Sequence, residues 1–315
     1  MCGRYAATAN PDDLIEEFEI DADRVADPAR SLLKSPQHPP AGTPDYNMAP
    51  TKQAPVVLSR APKGDPSRLG PGGPHTSGHG ERQLRLLTWG LVPSWAKETK
   101  VGLRMTNARA ETVLEKSSFA KAAATRRCLV PAAGWYEWQL SPVARDSKGK
   151  PRKQPFYIHR GDDEPLAFAG LYEFWRDTAI ADNDDPDAWL TTFTIITTAA
   201  DPGMDRIHDR QPLVLEREDW TRWLDPGLTD LAEVGELLAF ARPGRFAAHP
   251  ISTAVNATRN NGPHLLDPLP ESELVGVVDP ETGEVLGDIG RETGEVLGDV
   301  GRGATKEPRD PEPSR

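Results

Sequence analysis

The chain has 315 residues, 37% of them hydrophobic, and a formal net charge of −11. That length fits one large domain or two ordinary ones, and no run is long and apolar enough for a membrane span or a signal peptide. Two cysteines exclude a disulfide framework and lack zinc-type spacing, so a reducing, cytosolic setting with no metal or cofactor is expected.

The first segment reads MCGRY. Removal of Met1 would give Cys2 a free α-amine beside its thiol, a 1,2-aminothiol. In free peptides the amine titrates at roughly 7.7–8.0, and the thiol at about 8.5. The amine condenses with an aldehyde to an imine, and the thiol then closes a five-membered thiazolidine. Residues 11–19 follow as a short amphipathic helix with Leu14, Ile15 and Phe18 on one side. Residues 21–45 read as a loop and 47–60 as a Pro-marked bend leading into a strand.

Residues 61–82 are rich in Gly, Pro and Ser and read as an exposed insertion. His75 and His79 fall inside it, which makes them loop residues rather than a metal site. Residues 84–96 give a strand and a turn, where Trp89 and Trp95 bracket GLVPS. Residues 105–138 give a polar loop, a helix around 113–124 and a buried strand through 128–130. Residues 141–154 are basic and loop-like. Residues 155–160, 165–175 and 190–200 are aromatic or β-branched runs and read as strands. An acidic loop separates the last two. Residues 216–224 and 229–241 read as helices, and 247–256 as a last strand or edge.

From residue 271 the character changes. ETGEVLGDIGR (281–291) recurs as ETGEVLGDVGR (292–302), too short and Gly-rich for a packed unit, so 271–315 is expected to be a disordered tail. That tail holds 12 acidic and 5 basic residues, which leaves residues 1–270 at −4. The body is therefore near neutral, and a local basic site is allowed despite the acidic total. Strands and helices without regular βαβ alternation imply one α+β domain over residues 2–270.

Four polar clusters sit where apolar runs give way to turns. Asn107, Arg109 and Glu111 alternate along TNARAET and share one side if extended. Glu137 lies among Trp135, Tyr136 and Trp138, surroundings that favour a raised pKa and acid–base work. His208 follows a strand in DRIHDRQP, and a Gly/Pro turn offers one tryptophan ring for stacking on a base. Taken singly, each has a structural reading as well.

Together, MCGRY, NMAPT (47–51), WGLVPSWA (89–96), TNARAET (106–112), LVPAAGWYEW (129–138), IHDRQP (207–212) and HPIS (249–252) closely resemble the SOS response-associated peptidase (SRAP) family. The resemblance implies a mixed, strongly bent sheet or barrel core flanked by helices. It implies a monomeric, nucleoid-associated protein that acts on abasic (AP) sites in single-stranded DNA and at single-strand/double-strand junctions. Cys2 would form a thiazolidine crosslink with the sugar aldehyde after autoproteolytic loss of Met1. Asn107 would orient the sugar, Glu137 would shuttle protons and His208 would assist ring opening. Arg4, Asn47, Pro50, Trp89, Trp95, Arg109 and Glu111 would form the DNA-binding set, with Arg109 on a flanking phosphate. Strand scission through the Cys2 amine would be a side reaction. Gln211 stands where the family usually has methionine, which implies altered packing rather than lost chemistry.

Three other readings remain open at this point. A glutamine amidotransferase also begins Met-Cys-Gly and would use Cys2 on an amide. A cysteine protease would pair Cys2 with His208. A non-enzymatic DNA-binding module would bind intact single strands in a salt-sensitive way.

Overall fold

The computed structural model describes residues 2–60, 80–162, 164–239 and 243–287. Most of the 61–82 insertion, with His75 and His79, lies outside them, as does the second copy of the repeat. The strands are β1 (Tyr5–Ala7), β2 (Ala22–Arg24), β3 (Asp45–Met48), β4 (Gln53–Arg60), β5 (Glu81–Trp89), β6 (Asn107–Arg109) and β7 (Arg127–Ala132), then β8 (Gly134–Arg145), β9 (Pro151–Arg160), β10 (Leu166–Arg176), β11 (Trp189–Ala199), β12 (Arg210–Pro212) and β13 (Phe246–Pro250). The α-helices are α1 (Pro11–Glu17), α2 (Ala120–Thr125), α3 (Arg217–Leu224) and α4 (Leu231–Leu238).

Strands β11, β10, β7, β4 and β5 close into a five-stranded barrel, since β5 returns to pair with β11. An odd number of strands cannot close with antiparallel pairs alone. One seam must be parallel, and it is β5–β11, with Thr88 opposite Thr192 and Trp89 opposite Phe193. Side-chain alternation divides the barrel residues between two cores. Val56, Leu58 and Phe168 belong to one cluster, while Val57, Ala167 and Ala169 belong to another, covered by α1, α3 and α4. Both faces are thus buried, which explains runs as continuous as PVVL and LAFAGL.

A second sheet, in the order β13-β9-β8-β1-β3, lies beside the barrel. The short β1 strand is central to the site, because it pairs with both β3 and β8 and places the chain start within this sheet. The helices close the outer core, and Phe18 stacks on Trp220 with ring centroids 4.4 Å apart. Arg127 locks this layer. Its guanidinium donates to the carbonyls of Trp223 (2.7 Å), Ala123 (2.7 Å), Ala124 (2.9 Å) and Asp225 (2.6 Å) while only 3% exposed. Each abandoned buried acceptor costs roughly 1–3 kcal/mol. Arg127→Met is therefore expected to lower stability by about 3 kcal/mol or more in denaturant melts, and a change under about 1 kcal/mol would contradict that account.

Several expectations are corrected. The helix expected around 113–124 is confined to α2, and residues 110–119 form turns. Thr112, Ser117 and Ser118 explain this, since hydroxyl side chains favour turns over helix interiors. The basic segment 141–154 is not a loop but the two arms of the β8–β9 hairpin around a turn at Asp146–Lys150. Cross-strand backbone bonds hold these solvated arms, so no hydrophobic pattern announces them. The 21–45 loop contains the edge strand β2, parallel to β5. Residues 271–287, expected to be tail, pack on the body, and Val277 is fully buried.

Candidate active site

The register of β1 on β8 builds the centre of the site. Tyr5 pairs with Trp135 in antiparallel order, and Tyr136 N–H donates to Arg4 O (3.0 Å). Continuing that register brings Glu137 alongside the chain start. Asn107 arrives from β6, which pairs in parallel with β11, with Asn107 opposite Ile195. The Asn107 side-chain amide donates to the carbonyl of Cys2 at 2.7 Å. Its Oδ1 is buried and has no hydrogen-bond partner among the described residues. Asn107 thus fixes the backbone of residue 2 and keeps an acceptor in reserve beside it.

Cys2 is fully buried, and its thiol donates weakly to Arg4 O at 3.6 Å. Burial holds the thiol well above its ordinary value, and the nearby Glu137 carboxylate adds to that effect. Glu137 is 3% exposed. Burial pushes its carboxyl up to about 7, with the charge of Asp209 adding to the rise. A carboxyl poised there takes up and returns protons at neutral pH. These surroundings argue against a Cys2–His208 protease pair, which needs a stabilised thiolate.

His208 sits in the connection between a single 3-10 turn (Met204–Arg206) and β12. Its backbone N–H donates to Met204 O at 3.0 Å. The ring Nδ1 accepts from the Arg210 backbone N–H (3.0 Å) and lies 3.0 Å from a carboxylate oxygen of the largely exposed Asp209. Burial lowers the imidazole's pKa, so the ring is mostly neutral at pH 7. In the neutral ring the bond from Arg210 leaves the proton on Nε2. This connection is tied to the Glu137 strand, for Gln139, two residues along β8, donates to Arg206 O at 3.2 Å.

The residues expected to contact DNA divide sharply. Arg109 is exposed on β6, and Trp95 is 61% exposed in the turn after β5. Glu111 is exposed but holds Arg210 in a bidentate pair (2.5 and 3.0 Å). Trp89, in contrast, is fully buried, donates to Thr106 O at 2.8 Å and packs against Tyr5 and Phe193, so it is a core residue in this structure. Asn47 is also fully buried, with its amide on the carbonyls of Val255, Ala257 and Asn260. Arg4 is committed to Asn47 Oδ1 (2.7 Å) and Val255 O (2.8 Å). Asn47 and Arg4 therefore brace the chain start from behind. Pro50 is half-buried between β3 and β4.

Two residues escaped the sequence reading. Arg210 lies in IHDRQP and reaches the same edge as Arg109, because β12 and β6 both pair with β11 near Thr197–Ala199. Gln139 shares a strand face with Glu137 through the period of two, a signal present in YEWQ. Gln211 exchanges two 2.9 Å hydrogen bonds with Asp201. Among the described residues no cluster of His, Cys, Asp or Glu is arranged to hold a metal ion, and no helix is long and apolar enough to cross a membrane.

Comparison with known proteins shows the family and the fold. The profile of the SOS response associated peptidase family matches residues 1–258. The abasic site processing protein YoqW of Bacillus subtilis strain 168 is 36% identical over 268 residues, covering 85% of this chain and 99% of that one. The abasic site processing protein HMCES of Pongo abelii is 31% identical, covering 85% and 76% respectively. A solved Bacteroides thetaiotaomicron protein shares the fold, with a TM-score of 0.62 and 23% identity over 85% of this chain and 100% of its own. The matched region includes Cys2, Asn107, Glu137 and His208, and the chain belongs to the SOS response associated peptidase family.

Proposed function

We propose that this protein captures abasic sites in single-stranded DNA, and at single-strand/double-strand junctions, as a covalent thiazolidine on Cys2. The observation that carries this reading is the Asn107 amide on the Cys2 carbonyl, with a near-neutral Glu137 carboxyl beside the same residue. Loss of Met1, which the protein catalyses on itself, frees the amine. The amine adds to the C1′ aldehyde and water leaves, giving an imine. Sγ then adds to the same carbon while its proton passes to the imine nitrogen. One water is released overall, and no oxidant or reductant is needed.

Each side chain has a defined share of this work. His208 donates a hydrogen bond through Nε2–H to the sugar ring oxygen, keeping its own proton, as the closed sugar opens to its aldehyde. Glu137 accepts the proton released at the amine or thiol and returns it when the ring reverses. Asn107 Oδ1 accepts a hydrogen bond from a sugar hydroxyl or the amine next to Cys2. Arg109 supplies positive charge to a flanking phosphate, which needs a local arginine rather than a basic chain. A nucleotide without its base is also cheap to draw out of a stack. The imine stage opens a β-elimination route to strand scission as a side reaction.

The test is incubation of purified protein with single-stranded DNA bearing one abasic site, followed by a denaturing gel. A heat-stable shifted band is expected with abasic DNA and none with intact DNA. The two tryptophans provide a further test. Trp95→Ala is expected to weaken strand binding on the order of tenfold, since stacking contributes roughly 1–3 kcal/mol per base, with little change in stability. Trp89→Ala is expected to cost about 3–5 kcal/mol of stability through the cavity it leaves. Fluorescence titration and thermal melts separate the two effects, and equal losses of binding without loss of stability would contradict the assignment.

A further inference from the structure

We infer that residues 274–287, beyond the part of the chain matched by the family profile, form a strap that sets the position of His208, with Gln139 and Arg206 as positioning residues. This rests on the role proposed for His208 above. The strap is a small closed unit. Val277 N–H donates to Leu274 O (3.0 Å), Leu286 N–H to Val277 O (2.6 Å) and Asp279 N–H to Glu284 O (2.8 Å). Asp279 caps its turn by accepting from Glu281 N–H (2.7 Å) and Thr282 N–H (2.9 Å). The glycines of GEVLG serve the turns. Gly283 and Gly287 take φ of +79° and +84°, and a Cβ at Gly287 would lie 2.4 Å from the Val275 Cα.

The strap meets the connection that carries His208 at two points, the first buried and the second at the surface. Gln139 is 1% exposed and grips Val278 from both sides, accepting from its N–H (2.8 Å) and donating to its carbonyl (2.9 Å). The same amide donates to Arg206 O, two residues before His208. Arg206 reaches the other way and donates to Pro280 O (2.5 Å) and Glu281 O (2.9 Å). Beneath them Val277 is fully buried in the cluster that holds Trp135, Met204 and Ile207. A single 3-10 turn has little stiffness of its own. Without the strap Gln139 loses two partners, Arg206 loses both its carbonyls, and the seat of Val277 opens beneath Met204 and Ile207. Small displacements of a catalytic group cost large factors in rate.

The repeat supplies a built-in control. Deleting residues 281–291 brings the second ETGEVLG directly behind Pro280 and restores the sequence of residues 278–287. Four variants are compared with the full chain: one ending at Gly287, one ending at Glu273, the 281–291 deletion and Arg206→Ala. Adduct rates are measured on abasic single-stranded DNA and on propanal, an aldehyde that needs no ring opening, and the His208 imidazole resonance is followed by NMR. The chain ending at Gly287 and the 281–291 deletion should stay within twofold of the full chain. The chain ending at Glu273 and Arg206→Ala should slow at least tenfold on abasic DNA, keep their propanal rate, and shift the His208 resonance.

An unmoved resonance with unchanged rates overturns the strap. Equal loss on both aldehydes together with a lowered melting temperature also overturns it, as that marks a mere structural prop. A full chain that forms no adduct on abasic DNA sinks the functional reading instead, and the NMR result still decides the strap.

Discussion

Cys2→Ala yields no denaturant-stable adduct with abasic DNA, whereas the unaltered protein converts a large fraction of the oligonucleotide. This is the largest effect expected of any single substitution. Cys2 is buried among Tyr5, Trp89 and their neighbours, so loss of its sulfur costs stability as well, on the order of 1 kcal/mol. A melt therefore accompanies the assay, and a folded but inert variant is the expected outcome. Cys2→Ser separates the two nucleophiles. It keeps the amine, so an imine forms that borohydride traps, but no thiazolidine closes and heating without borohydride releases the DNA. A full yield of heat-stable adduct from either variant would remove the proposed nucleophile from the reaction.

Glu137→Gln carries the second large effect, and it moves rate and stability in opposite directions. The glutamine keeps the shape but moves no proton, so adduct formation and reversal slow by about 10²–10⁴-fold, the usual share of general acid–base catalysis. The wild-type rate should rise with pH through the Glu137 titration near 7, and this step should vanish from the variant's profile.

Stability runs the other way. In the folded protein the carboxyl is raised from 4.5 to about 7, so the folded state favours the neutral form. That contribution is complete below the unfolded value of 4.5 and is lost as pH rises through about 7. Glu137→Gln removes the penalty and should stabilise the protein above about pH 8 by up to about 3 kcal/mol, at roughly 1.4 kcal/mol per pKa step. Below about pH 4.5 no such gain is expected. Denaturant melts at the two pH values check it, and equal stability of variant and wild type at both would contradict the buried-carboxyl account.

The four proposed site residues stand out in the sequence because each belongs to a motif whose surroundings are themselves informative. Glu137 among aromatics reads as a buried carboxyl, and TNARAET reads as an extended polar segment. What a sequence could not show was which of these residues face solvent and which face protein. Trp89 and Trp95 flank the same turn and look equivalent, yet the β5–β11 seam buries the first and leaves the second exposed. Asn47 and Arg4 look like binding residues, but long-range pairing turns them inward to the carbonyls around Val255.

Glycine content misled the reading of residues 271–287 for a related reason. Composition distinguishes poorly between glycines that loosen a chain and glycines that permit tight turns, and the partners Gln139 and Arg206 are distant in sequence. The barrel core was clearer, because both of its faces are buried and its strands are continuous apolar runs.

Intact-mass spectrometry of the purified protein, before and after mixing with an abasic oligonucleotide, tests the central claim most directly. The account predicts a starting mass lower by one methionine residue, then a complex equal to protein plus oligonucleotide minus one water, with fragmentation placing the link on Cys2. A covalent complex on protein that still carries Met1, or one whose link maps to another residue, would contradict it.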